Sequence, residues 1–347
     1  MEDFMKGIDN KTVLDSLLKA RAVLARHKTI VVSTSGGSDS DIVMDIIEKT
    51  KGDKQVKYVW FNTGLEYQAT KDHLNYLEDR YGIKIERLRP KKSIPTCVRE
   101  RGVPFLSKYV SECLASLQRH DFKFEDKPAE ELQKEYNLKT YINWWCDISL
   151  GIKQYCISYN KYLKEFMLEN PLDFKVDNAC CYYAKKKLAH DVIKETGADL
   201  QVLGVRKAEG GIRSVGYKSC YEMSEKTGAM QFRPIFWYND EDKKYYEERF
   251  GIVHSECYTK YGLLRTGCVG CPYDRNVIKT LEVVKQYEPN LYKACMNVFG
   301  KSYEYTRKYR EFCEKKKWQE SQDDCQLTLD DIFYDYTDED ESPEQAV

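Results

Sequence analysis

Four serines and two glycines crowd around one aspartate at Ser33, Ser35, Gly36, Gly37, Ser38, Asp39 and Ser40. Gly36 and Gly37 can adopt positive φ and let a ligand approach the backbone closely. The apolar residues that follow, Ile42, Val43, Ile46 and Ile47, have helical spacing, so the glycines open a helix. A helix N-terminus offers unpaired N–H groups and a positive dipole end, a ready site for pyrophosphate. The serine hydroxyls add donors. Asp39 cannot pair with phosphate, so it is assigned to shaping the loop or to holding Mg²⁺. Neither G-x-x-x-x-G-K-[ST] nor G-x-G-x-x-G occurs here, which excludes those two nucleotide loops.

A second group is cationic. Arg206, Lys207 and Arg213 follow the apolar run Leu200–Val205, where a strand of an open sheet would end at a ligand crevice. Arg can clamp phosphate or sulfate bidentately, and Lys acts as a point charge. A third group is thiol. Thirteen cysteines in 347 residues is high and odd. In a reducing compartment clustered cysteine points to metal or sulfur chemistry rather than a disulfide framework. Cys268 and Cys271 lie in a glycine-rich turn whose N–H groups can bond cluster sulfurs, and Cys180-Cys181 begins a helix, where thiolate is favoured. Any one Cys–Cys spacing arises by accident roughly 0.5 times at this frequency, so context carries the signal. The five histidines form no HExxH or HxH site.

The elements that must position these groups alternate. Residues 11–27 read as an amphipathic helix, 28–35 as a buried strand, 55–61 and 83–88 as further strands with a turn and helix between, and 198–205 as another strand. This is the pattern of an α/β fold with an open, mostly parallel sheet and helices on both faces. Residues 89–106 read as a loop on the ligand side, 105–119 as a helix, 120–140 as a polar excursion, 141–168 as helical, and 177–197 as a helix. Residues 206–234 read as irregular and basic. Beyond 235 the chain is helical and cysteine-rich with a glycine–cysteine turn at 262–273. The expected organisation is a nucleotide-binding domain over 1–234 with a helical insertion at about 105–170, a Cys-rich helical region over 235–320, and a disordered acidic tail over 321–347.

Hydrophobic residues at 42% and charged residues at 32% describe a globular chain. No apolar run reaches the roughly 18 residues of a spanning helix, and no basic-then-apolar leader opens the chain, so the expected location is cytoplasmic, away from membranes. The net charge of −1 conceals asymmetry: residues 323–347 hold ten acidic groups and no Lys or Arg, which leaves 1–322 at +9. Such a body suits an anionic ligand or nucleic acid, with the tail shielding it; a merely solvated tail explains the same charges. Lys301–Lys317 interleaves cations with Tyr303, Tyr305 and Tyr309. It reads as a surface helix with an aromatic inner face in preference to a nucleic-acid patch.

Four ordered segments resemble one family. Ser35–Ser40 (SGGSDS) resembles the PP-loop of the ATP-pyrophosphatases (the adenine nucleotide alpha hydrolase-like superfamily). Phe61–Tyr67 (FNTGLEY) is similar to the F-x-T-G-x-E-[YF] of its phosphoadenosine phosphosulfate (PAPS) reductase branch, Gly204–Ser214 to its G-x-R-x-x-E-S-x-x-R, with Gly210 in place of Ser, and Gly262–Pro272 to its R-x-G-C-x-x-C-P. The resemblance implies a bound nucleotide, ATP or PAPS, lined by Asn62, Thr63, Gly64 and Glu66, with Lys207 nearby and Arg206 and Arg213 on its anionic end. The CC…CxxC spacing resembles the [4Fe–4S] pattern of adenylyl-sulfate reductases and makes Cys180, Cys181, Cys268 and Cys271 the implied ligands. Cys257 or Cys220 can replace one of the adjacent pair, and Zn²⁺ is the rival metal. Sulfonucleotide reductases carry a nucleophilic cysteine in a C-terminal E-C-G-L-H, whereas Cys325 sits in Asp-Asp-Cys-Gln-Leu.

Three functions follow. The first is an enzyme that adenylylates an acceptor, releases pyrophosphate and inserts sulfur delivered by a donor protein or thiol reductant. The sulfur-inserting subunit of DNA phosphorothioation systems and the cluster-bearing tRNA thiolases resemble this plan, and the acceptor would then be nucleic acid. The second is a sulfonucleotide reductase that releases sulfite. The third is a non-catalytic nucleotide-binding module.

Overall fold

The computed structural model describes residues 3–148, 151–210 and 216–334, with side chains to residue 322. The chain divides into two compact units, Met1–Pro104 with Asp177–Gly300, and Phe105–Val176 with Lys301–Val347.

The first unit is built on a six-stranded sheet, β1 (Ile30–Thr34), β2 (Val56–Phe61), β3 (Ile85–Leu88), β4 (Leu200–Leu203), β5 (Tyr221–Met223) and β6 (Met230–Phe232), in the order β3-β2-β1-β4-β6-β5. All neighbours are parallel except β5 and β6. Because side chains alternate across a strand, Val32 faces one core and Val31 the other. On the Val32 side pack α1 (Lys11–Arg26), with Val13, Leu17, Ala20 and Leu24 along one stripe, and α2 (Ser38–Thr50), with Ile42, Val43, Ile46 and Ile47. On the Val31 side lie Val59, Val192, Ile193 and Ala198. Burying each such Val or Ile contributes about 1.5–3 kcal/mol. The chain runs outward from β1 to β2 and β3, then returns to the opposite side through β4. The switch point is therefore between β1 and β4, where an open sheet forms a ligand crevice.

α3 (Gln68–Tyr81) and α4 (Ile94–Arg101) follow β2 and β3. The return from residue 177 runs through α9 (Ala179–Cys181), a π-helical turn at Tyr182–Lys186, and α10 (Lys187–Thr196). Beyond the sheet come α11 (Asp240–Phe250), α12 (Glu256–Thr259), α13 (Val277–Tyr287) and the start of α14 (Pro289–Tyr334).

The second unit holds α5 (Lys108–Arg119), α6 (Ala129–Tyr136), α7 (Lys139–Trp145) and α8 (Leu163–Glu169) around an aromatic core of Phe105, Trp144, Trp145, Phe166, Tyr305 and Tyr309. The Tyr305 and Tyr309 hydroxyls donate to the carbonyls of Asn170 and Lys161 at 2.7 Å. The outer face of that stretch carries i,i+4 ion pairs such as Arg307–Glu311. Tyr305 and Tyr309 thus serve packing, on the inner face of the helix.

Several boundaries differ from expectation. Residues 235–300 join the first unit instead of forming a region of their own. Residues 94–101 are helical, started by Ser93 with Pro95 in the first turn. The basic stretch 206–234 contains β5 and β6. The run 141–168 is broken between α7 and α8. Residues 321–334 continue α14 in place of disorder. No described helix is long and apolar enough to cross a membrane.

Candidate functional site

At the switch point a cleft of about 270 Å³ is lined by Ser35, Gly37, Ser38 and Asp39 after β1, by Gly204, Arg206 and Glu209 after β4, by Lys243 of α11, and by Tyr258, Leu264, Arg265 and Thr266. The loop around it is tightly specified. Gly36 has φ +65°, and a Cβ there would lie 2.7 Å from Thr70 Cγ2. A Cβ on Gly37 would lie 2.9 Å from Thr266 Oγ1, and one on Gly204 would lie 3.3 Å from the Ser40 backbone. The Ser40 hydroxyl donates to the Gly37 carbonyl at 2.7 Å and accepts the Gly37 N–H at 3.0 Å. Ser40 therefore braces the loop and is not a free phosphate donor. The Ser38 N–H, at the start of α2, meets the Tyr258 hydroxyl at 3.1 Å, which in turn meets Thr266 Oγ1 at 3.1 Å.

Two cations converge on the loop. Arg206 Nε donates to both oxygens of Asp39 at 3.1 Å, and its Nη1 to Asp240 at 2.8 Å. Lys243 Nζ donates to Ser38 Oγ at 2.6 Å and to Asp39 Oδ1 at 2.9 Å. Asp39 thus ties Arg206 and Lys243 to the loop through its two oxygens. Lys207 turns away, its Nζ 5.1 Å from the Trp237 ring. Ser33 Oγ is buried without a hydrogen-bond partner in the strand below. Arg213 lies outside the described residues.

Asn62, Thr63, Gly64 and Glu66 were expected at the nucleotide, but none lines the cleft. Asn62 Oδ1 accepts the Gly64 N–H at 3.1 Å and closes the turn. Thr63 Oγ1 donates to Glu66 at 2.6 Å and stands 3.8 Å from Cys268 Sγ. The turn therefore faces the thiols. Burial pushes the Glu66 carboxyl up, opposed by Lys185 and Lys71. Burial would lower the Lys185 ammonium, but Cys268, Glu66 and Cys181 raise it above its usual value.

The four implied cysteines gather here. Contact with Cys181, burial, and the nearby Cys271 and Cys268 all raise the Cys180 thiol. Burial pushes Cys271 up to about 12, with Cys268 and Cys181 adding to it. Burial also raises Cys268, against Lys185 and Thr63, which lower it. The alternatives stand apart: Cys257 against Thr70 at 3.6 Å, and Cys220 beside Lys19. Thiols, with the Lys185 ammonium beside Cys268, are the donor types that an iron–sulfur cluster takes. Among the described residues no three or more His, Cys, Asp or Glu side chains stand ready to hold a metal ion as they are.

Lys243 and Lys185 escaped sequence reasoning. Each lies in a charged run, Asp242-Lys243-Lys244 and Lys185-Lys186-Lys187, that reads as solvated surface; Lys185 belongs to the π-helical turn at Tyr182–Lys186, which no sequence pattern marks.

The chain is 38% identical over 77 residues to an uncharacterised protein of Methanocaldococcus jannaschii, spanning 22% of this chain and 16% of that protein. It is similar to a phosphoadenylyl-sulfate reductase of Candida auris (15% identity, TM-score 0.42, 73% of this chain and 87% of that one). It is also similar to the U34-tRNA thiolase NcsA of Methanococcus maripaludis, solved with its [4Fe–4S] cluster (12% identity, TM-score 0.38, 87% and 81%). The phosphoadenosine phosphosulfate reductase domain matches residues 29–274, well over half the chain, so the protein belongs to that family.

Proposed function

We propose that the protein is an ATP-pyrophosphatase-type enzyme of sulfur chemistry, which adenylylates an acceptor and prepares it for sulfur insertion. One observation carries this reading: the segment Leu264–Cys271 contributes Leu264, Arg265 and Thr266 to the cleft and then Cys268 and Cys271 to the thiol group. The Val269 N–H bonds the Leu65 carbonyl at 3.0 Å, tying that segment to the turn after β2. That adjacency supports a reading in which nucleotide and sulfur are handled on adjoining backbone.

In this reading the triphosphate lies on Ser35, Gly37 and Ser38, with Lys243 and Arg206 neutralising charge as it develops. An acceptor oxygen attacks the α-phosphorus, the bond to the bridging oxygen breaks, and pyrophosphate leaves with the electron pair. A sulfur nucleophile from a donor protein or thiol later displaces AMP. Cys180, Cys181, Cys268 and Cys271 would hold an iron–sulfur cluster, which when bound supplies a site that binds and activates sulfur. The +9 charge of residues 1–322 supports a nucleic-acid acceptor. Family membership favours a second reading, a sulfonucleotide reductase.

Calorimetry of the oxygen-free protein with ATP and Mg²⁺, and separately with PAPS, separates them. Tight ATP binding with PAPS ignored is expected; the reverse would establish the reductase. Gly37→Val should reduce affinity for the bound nucleotide at least a hundredfold without unfolding the protein. Unchanged affinity would sink the site.

A further inference from the structure

Behind Lys243 lies a chain of charged groups that the reaction above does not use. Lys243 Nζ, besides its bonds to Ser38 and Asp39, stands 3.8 Å from Glu247 Oε1 one turn along α11. That same Glu247 oxygen is 2.9 Å from His254 Nε2. His254 Nδ1 is 2.8 Å from Asp41 Oδ2 in the first turn of α2. The other Asp41 oxygen lies 3.0 Å from His73 Nε2 on α3. Asp41 is 1% exposed and His73 6%.

Asp41 is the informative member. A carboxylate this deep in the first turn of α2 is costly unless compensated. The helix N-terminus offsets part of its charge, and two imidazoles face it. An apolar residue would pack against the sheet without any partner. The chain instead runs from that buried carboxylate through His254 and Glu247 to Lys243, which touches the loop's own Ser38 hydroxyl.

We propose that Asp41, His254 and Glu247 are positioning residues for Lys243, holding its ammonium over the phosphate loop through a doubly protonated His254. The proposal rests on the phosphate reading of the cleft. His254 must donate from both ring nitrogens to bridge two carboxylates. Burial would lower its pKa, but hydrogen bonds to Asp41 and Glu247 raise it from the usual 6.5 to about 9. The groups facing it are Asp41 of α2, Glu247 of α11 and the Tyr258 ring of α12 at 5.8 Å, with His73 of α3 behind Asp41 and Lys243 beside Glu247. A folded pKa above the unfolded one means that the bridge is intact through neutrality and fails as pH rises through about 9. Glu247, released from His254, then draws Lys243 back from the loop.

The test is calorimetric affinity for ATP with Mg²⁺, and for PAPS, on the full chain between about pH 7 and 9.5. Wild-type affinity should fall about tenfold across that range. His254→Gln should already be about tenfold weaker at pH 7 and nearly flat with pH, with a circular dichroism spectrum like the wild type. In a Lys243→Met background, His254→Gln should cost nothing further, because the cation it positions is gone. An equal loss in both backgrounds would show a purely structural histidine and overturn the proposal, as would a wild-type pH profile in His254→Gln. If Gly37→Val leaves binding intact, the phosphate reading falls and the relay with it. If Gly37→Val abolishes binding while His254→Gln matches the wild type, only the relay falls.

Discussion

Glu66 and Lys185 are a pair of opposite charges set beside the Cys268 thiol. The Glu66 carboxylate is 9% exposed and is held by Thr63 at 2.6 Å, with Lys185 as its main favourable cation. Removing that cation leaves a buried charge uncompensated, so Lys185→Met should cost on the order of 2–4 kcal/mol at neutral pH. The folded carboxyl already titrates above its usual value, and without Lys185 it should rise further. The folded state then binds more protons than the unfolded one, and stability falls as pH rises through that window. Thermal melts should show the gap between Lys185→Met and wild type widest near pH 8 and narrowing below about pH 5. A constant gap would mean that Lys185 acts through packing of its stem. Lys185→Arg, which keeps the charge, should recover most of the loss.

At the level of elements, the loop after β1 depends on a residue that need not touch a ligand. The Ser40 hydroxyl holds Gly37 from both sides and accepts the Ser35 N–H at 3.3 Å. Ser40→Ala leaves these buried groups unpaired and should cost about 1–3 kcal/mol. It should also weaken nucleotide binding severalfold, and denaturant melts beside calorimetry check both. Binding unchanged at reduced stability would separate the brace from the site. β1 to β4 were legible in the sequence because β-branched and apolar runs alternate there with helical patterns, and the glycine–serine turn between β1 and α2 was legible because its residue types end a strand and open a helix. β5 and β6 were not, because strands of three residues give no period to read. The pairing of Thr63 and Glu66 with the thiol side of the turn was not legible for a different reason. They follow a strand that does end at the crevice, but Thr63 and Glu66 are drawn instead to Lys185 and Cys268, contacts between residues more than a hundred positions apart.

Over the whole molecule, charge is distributed more unevenly than its total of −1 suggests, since residues 1–322 sum to +9. A basic body attracts a polyanion through counterion release, whereas a chain with its own acidic segment carries an internal competitor. The last described packing of α14 precedes residue 322: Phe312 and Cys313 lie against the aromatic core, Lys316 pairs with Glu165, and Lys161 meets Glu320 at 2.9 Å. Ending the chain at 322 therefore removes ten acidic groups and none of these contacts. The shortened chain should bind a fluorescent single-stranded oligonucleotide about tenfold more tightly at low salt, and affinity should fall more steeply with salt than for the full chain. Its affinity for ATP should not change, because the cleft carries its own cations, Arg206 and Lys243. Equal oligonucleotide affinity in both forms would make the tail a solvating segment alone, and would move the acceptor of the reaction away from nucleic acid toward a smaller, less charged molecule.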